Sequence, residues 1–136
     1  MDLKRLFFHR LPLREKQFTG ENGGNALIRI PEKAEFDLMN DVFISGNTSI
    51  KMTVSCQKNP YKNFEEIDRE ANRNLEVLPV KKLRKDAIVH LLPGSRGYKV
   101  SIYNKRKDQA ITITFGPEDE KNFEMLREII KTAKFI

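Results

Sequence analysis

Residues with chemical potential are few in this chain and lie far apart. Among 136 residues there is one cysteine, Cys56, and two histidines, His9 and His90. Their spacing does not suit zinc, whose sites draw on closely spaced Cys and His pairs. A single cysteine also rules out an intramolecular disulfide. Cys56 closes the alternating run Ile50–Cys56 and reads as a small buried apolar residue rather than a reactive thiol. His90 sits inside Ile88-Val89-His90-Leu91-Leu92 with no second His or Cys close by, so a structural histidine is expected there rather than a catalytic base. Gly94-Ser95-Arg96-Gly97 is not a Gly-x-Ser-x-Gly elbow, and two glycines around Ser-Arg at a strand boundary read as a turn. Gly20-x-x-Gly23-Gly24 lacks the Lys and the following helix of a phosphate loop. The carboxylates cluster at Glu65-Glu66 and Glu118-Asp119-Glu120, where helix starts favour negative charge. No catalytic residue, no metal ligand and no cofactor is therefore expected, and the chain is expected not to be an enzyme.

Charge is the stronger signal. The chain carries a net +6, unevenly spread. Residues 81–107 hold nine lysines and arginines against the single acid Asp86, so this stretch carries +8 and the remainder −2. Such clustering can mark an anionic partner or a set of solvated strand faces and turns. If it is a site, Lys82, Lys85, Lys105, Arg106 and Lys107 are the anion-binding candidates, provided they share one face. Nucleic-acid binding adds stacking aromatics or a helix for the groove. Tyr98 and Tyr103 fall on opposite faces of one strand and no helix is basic along a face, so nucleic acid is the less favoured partner.

Residues 1–18 carry Lys4, Arg5, Arg10, Arg14 and Lys16 against Asp2 and Glu15. Leu3, Leu6, Phe7 and Leu11 suit a short amphipathic helix before Pro12. An extra strand or helix laid on the domain is favoured over membrane-surface docking. A signal-peptide core needs ~7–15 apolar residues and a membrane span ~20; Leu6-Phe7-Phe8 falls far short. A cytoplasmic protein with no transmembrane segment is expected.

The elements that must position these residues follow from periodicity. Apolar content of 39% with 32% charged residues describes a globular chain long enough for one core. Residues 1–24 read as an N-terminal basic segment and loop, and residues 25–136 as a single α+β domain. Ala26–Ile30 stops at Pro31, and Asp41–Ser45 stops at Gly46-Asn47. Ile50, Met52, Val54 and Cys56 alternate with Ser49, Lys51, Thr53 and Ser55, which places one face inside. Asn63 suits an N-cap with Glu66 three residues on, and Phe64, Ile67, Ala71, Leu75 and Leu78 form an apolar stripe, so a helix is expected up to Pro79. Asp68 falls off that stripe. Ile88–Leu92, Tyr98–Tyr103 and Ala110–Phe115 are further strands, the last two joined by the polar turn Asn104–Asp108. A final helix is expected with Pro117 at its first position and Phe123, Leu126, Ile130 and Ala133 buried. The chain stays apolar to Phe135-Ile136, although chain ends are usually polar. Lys134–Ile136 is expected to tuck back as a short strand, with Phe135 and Ile136 each contributing roughly 1.5–3 kcal/mol by burial.

The segments ALIRIP, NFEEIDREANRNLE, GYKVSIYN, QAITITFG and NFEMLREIIKTAKFI, in this order over about residues 25–136, resemble the PsbP-like fold. That family includes photosystem-associated subunits, a small Ran-binding import factor and bacterial domains. The resemblance implies an α/β/α sandwich: an antiparallel sheet of about six to seven strands with helices packed on it. It also implies a non-enzymatic binding or assembly role, and it carries no functional residue onto this chain. The expected function is a non-catalytic binding or adaptor domain acting through protein–protein contacts. The alternative is an anion- or nucleic-acid-binding module using the basic 81–107 region.

Overall fold

The computed structural model describes residues 13–20, 24–32, 34–36, 41–44, 51–58, 64–80, 82–106 and 108–136. The expected helix over Leu3–Leu11, the cap Asn63, Ile50 and Lys107 lie outside the described residues, as do the side chains of Phe64 and Ile67.

The chain is α+β with antiparallel strands. The strands are β1 (Leu13–Thr19), β2 (Asn25–Pro31), β3 (Ala34–Phe36), β4 (Asp41–Ile44), β5 (Lys51–Lys58), β6 (Val77–Leu78), β7 (Ala87–Leu92), β8 (Gly97–Asn104), β9 (Gln109–Gly116) and β10 (Lys134–Phe135). Among the described residues the helices are α1 (Phe64–Ala71) and α2 (Glu120–Thr132). Among the described residues, seven strands form one sheet in the order β3-β4-β5-β9-β8-β7-β6, and three form a second in the order β1-β2-β10. A single sheet was expected. Instead the strand ending at Pro31 leaves the large sheet and joins the N-terminal strand and the chain end.

Pairing register explains the two faces of the large sheet. Met52, Val54 and Cys56 stand opposite Phe115, Ile113 and Ile111, and these stand opposite Tyr98, Val100 and Ile102. Directly opposed residues share a face, so one face is apolar from β5 across to β7. Leu126, Ile129 and Ile130 of α2, together with Phe18, Ile28 and Ile30 of the small sheet, close over it in one core. The other face is polar: Thr53 opposes Thr114, and Lys99 and Ser101 oppose Thr114 and Thr112. The Thr53 and Thr114 hydroxyls hydrogen-bond to each other.

The small sheet is pinned tightly against β5. Cys56 is buried, its thiol 3.4 Å from the Phe18 and Gly24 carbonyl oxygens. A Cβ at Gly20 would stand 1.5 Å from the Cys56 carbonyl oxygen, so only glycine lets the β1–β2 connection approach this closely.

Three local expectations need correcting. The first helix ends at Ala71 rather than running to Leu78, and Val77–Leu78 is the edge strand β6. Pro79 disfavours helical geometry at Leu78, and β-branched Val77 suits a strand. Ala71 is exposed whereas Asp68 and Asn72 are buried, so the side of the helix carrying Asp68 and Asn72 faces inward. The last helix starts at Glu120, with Asp119 as N-cap accepting from the Asn122 N–H at 2.7 Å; Pro117 stands before it. The C-terminal hook does form: Lys134 and Phe135 pair with Leu27 and Ala26, and the Ile136 N–H donates to the Asn25 carbonyl at 3.0 Å. Phe135 packs on the core, but Ile136 is 49% exposed, so its side chain does not add the expected burial.

Candidate functional site

Three places concentrate polar chemistry, and each is built by different elements. The first lies beneath α1. Strand period two puts Lys99, Ser101 and Tyr103 of β8 on the polar face, and α-helical spacing puts Asp68 and Asn72 on the side of α1 that meets them. The Asp68 carboxylate accepts from Tyr103 Oη at 2.6 Å, Ser101 Oγ at 2.9 Å, Lys99 Nζ at 3.1 Å and Asn72 Nδ2 at 3.2 Å. Burial pushes the Asp68 carboxyl up, but hydrogen bonds from Tyr103, Lys99 and Ser101 and the Lys99 charge outweigh it, leaving the group below its ordinary range. His90 stands opposite Lys99 on β7. Burial keeps its imidazole neutral by lowering its pKa, helped by the Lys99 charge and opposed by Asp68. Its Nδ1 is enclosed with no hydrogen-bond partner among the described residues. An acid that accepts from four donors is saturated. The arrangement fastens the helix to the sheet and leaves no lone pair aimed at a substrate.

The second place is the end of the large sheet where β7 begins and β8 ends, marked by the Tyr103 N–H donating to the Asp86 carbonyl at 3.1 Å. Lys85, Lys105 and Arg106 are exposed there. Lys58, the last residue of β5 and opposite Gln109, is exposed at the same end. Sequence reasoning placed five residues in this patch. Lys85, Lys105 and Arg106 lie at this end of the sheet; Lys107 lies outside the described residues, and Lys82 lines a groove beside α2. The separation has a physical cause. The β6–β7 loop runs along α2, anchored by buried Val80 and by Arg84. The Arg84 guanidinium pairs with Asp86 at 2.6 Å and donates to the Ile130 carbonyl at 3.1 Å and to the Ala133 carbonyl. Those carbonyls are the unpaired acceptors at the negative end of the helix.

The third place is the groove that this loop leaves beside the first turns of α2. Its volume is about 520 Å³. Leu78, Val80, Leu83, Leu91, Tyr98 and Phe123 are among its apolar lining; Glu76, Glu118, Glu120, Lys82 and Arg127 also line it. Tyr98 and Phe123 pack with ring centroids 5.3 Å apart, and the Tyr98 hydroxyl donates to the Asp119 carbonyl at 3.2 Å. Burial, together with Glu118 and Asp119, raises the Tyr98 phenol above its ordinary value, so this hydroxyl stays a neutral donor.

The remaining candidates fall where their sequence context points. Gly94-Ser95-Arg96-Gly97 is a turn, with a 3₁₀ segment at Pro93–Ser95 and positive φ at Gly94, Ser95 and Gly97. Tyr98 and Tyr103 occupy opposite faces of β8, one bonded to the α2 N-cap residue and the other to α1. Burial pushes the Cys56 thiol up, away from reactivity. Among the described residues no group of three His, Cys, Asp or Glu could hold a metal ion, and no helix is long and apolar enough to cross a membrane.

Sequence reasoning missed both the Asp68 cluster and the groove. A signal for the first was present: three hydrogen-bonding side chains alternate on β8, a strand flanked on both sides, and a covered polar face requires a polar cover. The groove left no comparable trace, because its lining comes from four separate segments. No family model, curated protein or solved structure matches the chain.

Proposed function

We propose that the protein is a non-catalytic binding domain of the cytoplasm that docks a protein partner through the groove between the β6–β7 loop and α2. The observation that carries this is the groove itself: about 520 Å³ with an apolar floor and charged side chains at its rim. Concave apolar sites with a few polar groups at their edges are what anchoring side chains of a partner fill. Its phenol is already bonded to backbone, and Asp68, the buried acid among the described residues, is saturated elsewhere, which favours binding over proton transfer. The order of elements supports the same conclusion through its likeness to PsbP-like domains, which bind or assemble partners, and through the α/β/α layering that likeness implies.

A second reading rests on the basic end of the sheet. Lys58, Lys85, Lys105 and Arg106 gathered at one end would suit an anionic partner, nucleic acid included. One capture experiment separates the two. The full chain, a Leu83→Glu variant and a Lys85→Glu/Lys105→Glu/Arg106→Glu variant are each exposed to nuclease-treated lysate, with thermal melts to establish folding. A discrete protein retained by wild type and the triple variant but lost by folded Leu83→Glu is the expected result. Loss by the triple variant alone moves the site to the basic end. Retention by all three overturns both.

A further inference from the structure

The groove rim specifies more than an apolar occupant. Glu76, Glu118 and Glu120 line it, and all three are exposed. Among the described residues two cations, Lys82 and Arg127, line it with these three carboxylates, and Arg127 also stands 3.7 Å from Glu124. This acidic mouth occurs on a chain of net +6. The start of α2 explains Glu118 and Glu120 through the helix dipole, but Glu76 belongs to the segment before β6 and has no helix end to serve. Two separate elements therefore present acid to the same apolar opening.

Resting on the docking function proposed above, we infer that the groove takes a partner segment in which a bulky apolar side chain is flanked by lysine or arginine. The apolar group fills the space over Leu91, Tyr98 and Phe123, and the flanking cations meet Glu76, Glu118 and Glu120. Charge at such a rim selects partners and speeds encounter, while the apolar anchor supplies affinity.

The test uses the full isotope-labelled chain and two synthetic hexapeptides. One alternates leucine and phenylalanine with lysine; its twin carries glutamate at every lysine position. Binding is followed by amide shifts at Leu91, Tyr98 and Phe123 and by fluorescence anisotropy. The basic peptide should move these amides and bind at least about tenfold more tightly than its twin. In a Glu76→Lys/Glu118→Lys/Glu120→Lys variant, shown by its melt to be folded, the preference should vanish or reverse. If both peptides move the three amides with equal affinity, the docking groove stands and its charge selectivity is overturned. If neither moves them at millimolar peptide, the docking function falls as well. If the basic peptide binds but shifts only Lys85, Lys105 and Arg106, it is not reading the groove and the inference is overturned.

Discussion

Asp68 determines what it takes to lift α1 from the sheet. An isolated eight-residue helix is unstable in water, and α1 spans only Phe64–Ala71. Its carboxylate gathers Lys99, Ser101, Tyr103 and Asn72, and removing it would leave those donors enclosed without an acceptor. Asp68→Ala should therefore cost about 3 kcal/mol at neutral pH by urea unfolding. The pH dependence has a definite sign. The folded-state carboxyl binds its proton more weakly than the unfolded one. Its contribution is fully present above the ordinary Asp value of about 3.9 and is lost as pH falls through the depressed folded value. The gap between wild type and variant should narrow on acidification from about pH 5 towards about pH 2. A constant gap over that range would show that the charge of Asp68 is not what holds the helix.

At the scale of elements, α2 is held at both ends by side chains outside its own apolar stripe. Asp119 caps its start. Arg84, from the β6–β7 loop, closes its end by taking the Ile130 and Ala133 carbonyls while Asp86 fixes the guanidinium plane. The same contacts hold the loop that walls the groove, so the cap and the candidate site share one support. Arg84→Met keeps much of the apolar stem and removes the donors. It should lower stability by about 2 kcal/mol and speed amide exchange in the last turn of α2 and in β10. Unchanged exchange there would mean that core packing alone sets the helix end. The two helices also differ in how well they could be read. α2 has a dense stripe in which Leu126, Ile129 and Ile130 are fully buried, acids early and a lysine late, all agreeing with one another. In α1 the apolar spacing from Phe64 to Leu78 ran across a helix end, a turn and an edge strand. Periodicity counted that chance continuation as one helix and left Asp68 on the wrong side of it.

For the whole molecule, charge is divided between two ends of one sheet. The acid-rimmed groove lies where β7 ends and β8 begins, near Leu91 and Tyr98; Lys58, Lys85, Lys105 and Arg106 lie where β7 begins and β8 ends. If these cations act as one face, the Lys85→Glu/Lys105→Glu/Arg106→Glu variant should leave a heparin column at markedly lower salt than wild type, whereas Lys82→Glu should shift elution much less. Equal shifts per charge for all four residues would show that the column reads net charge alone. The sequence by itself determined the class of the chain, the strands with clean alternation, the apolar C-terminal strand, the burial of Cys56 and the turn at Gly94–Gly97. Each of these depends on neighbours within a few residues, where strand period, helix spacing and turn chemistry act directly. Only the tertiary structure decided that β2 leaves the large sheet for β1 and β10, that Asp68 meets β8, that Lys82 lines the groove while Lys85 does not, and that Glu76 and Glu118 line one apolar opening. Those juxtapositions join residues tens of positions apart. They are set by how faces of separate elements pack, which no local pattern records.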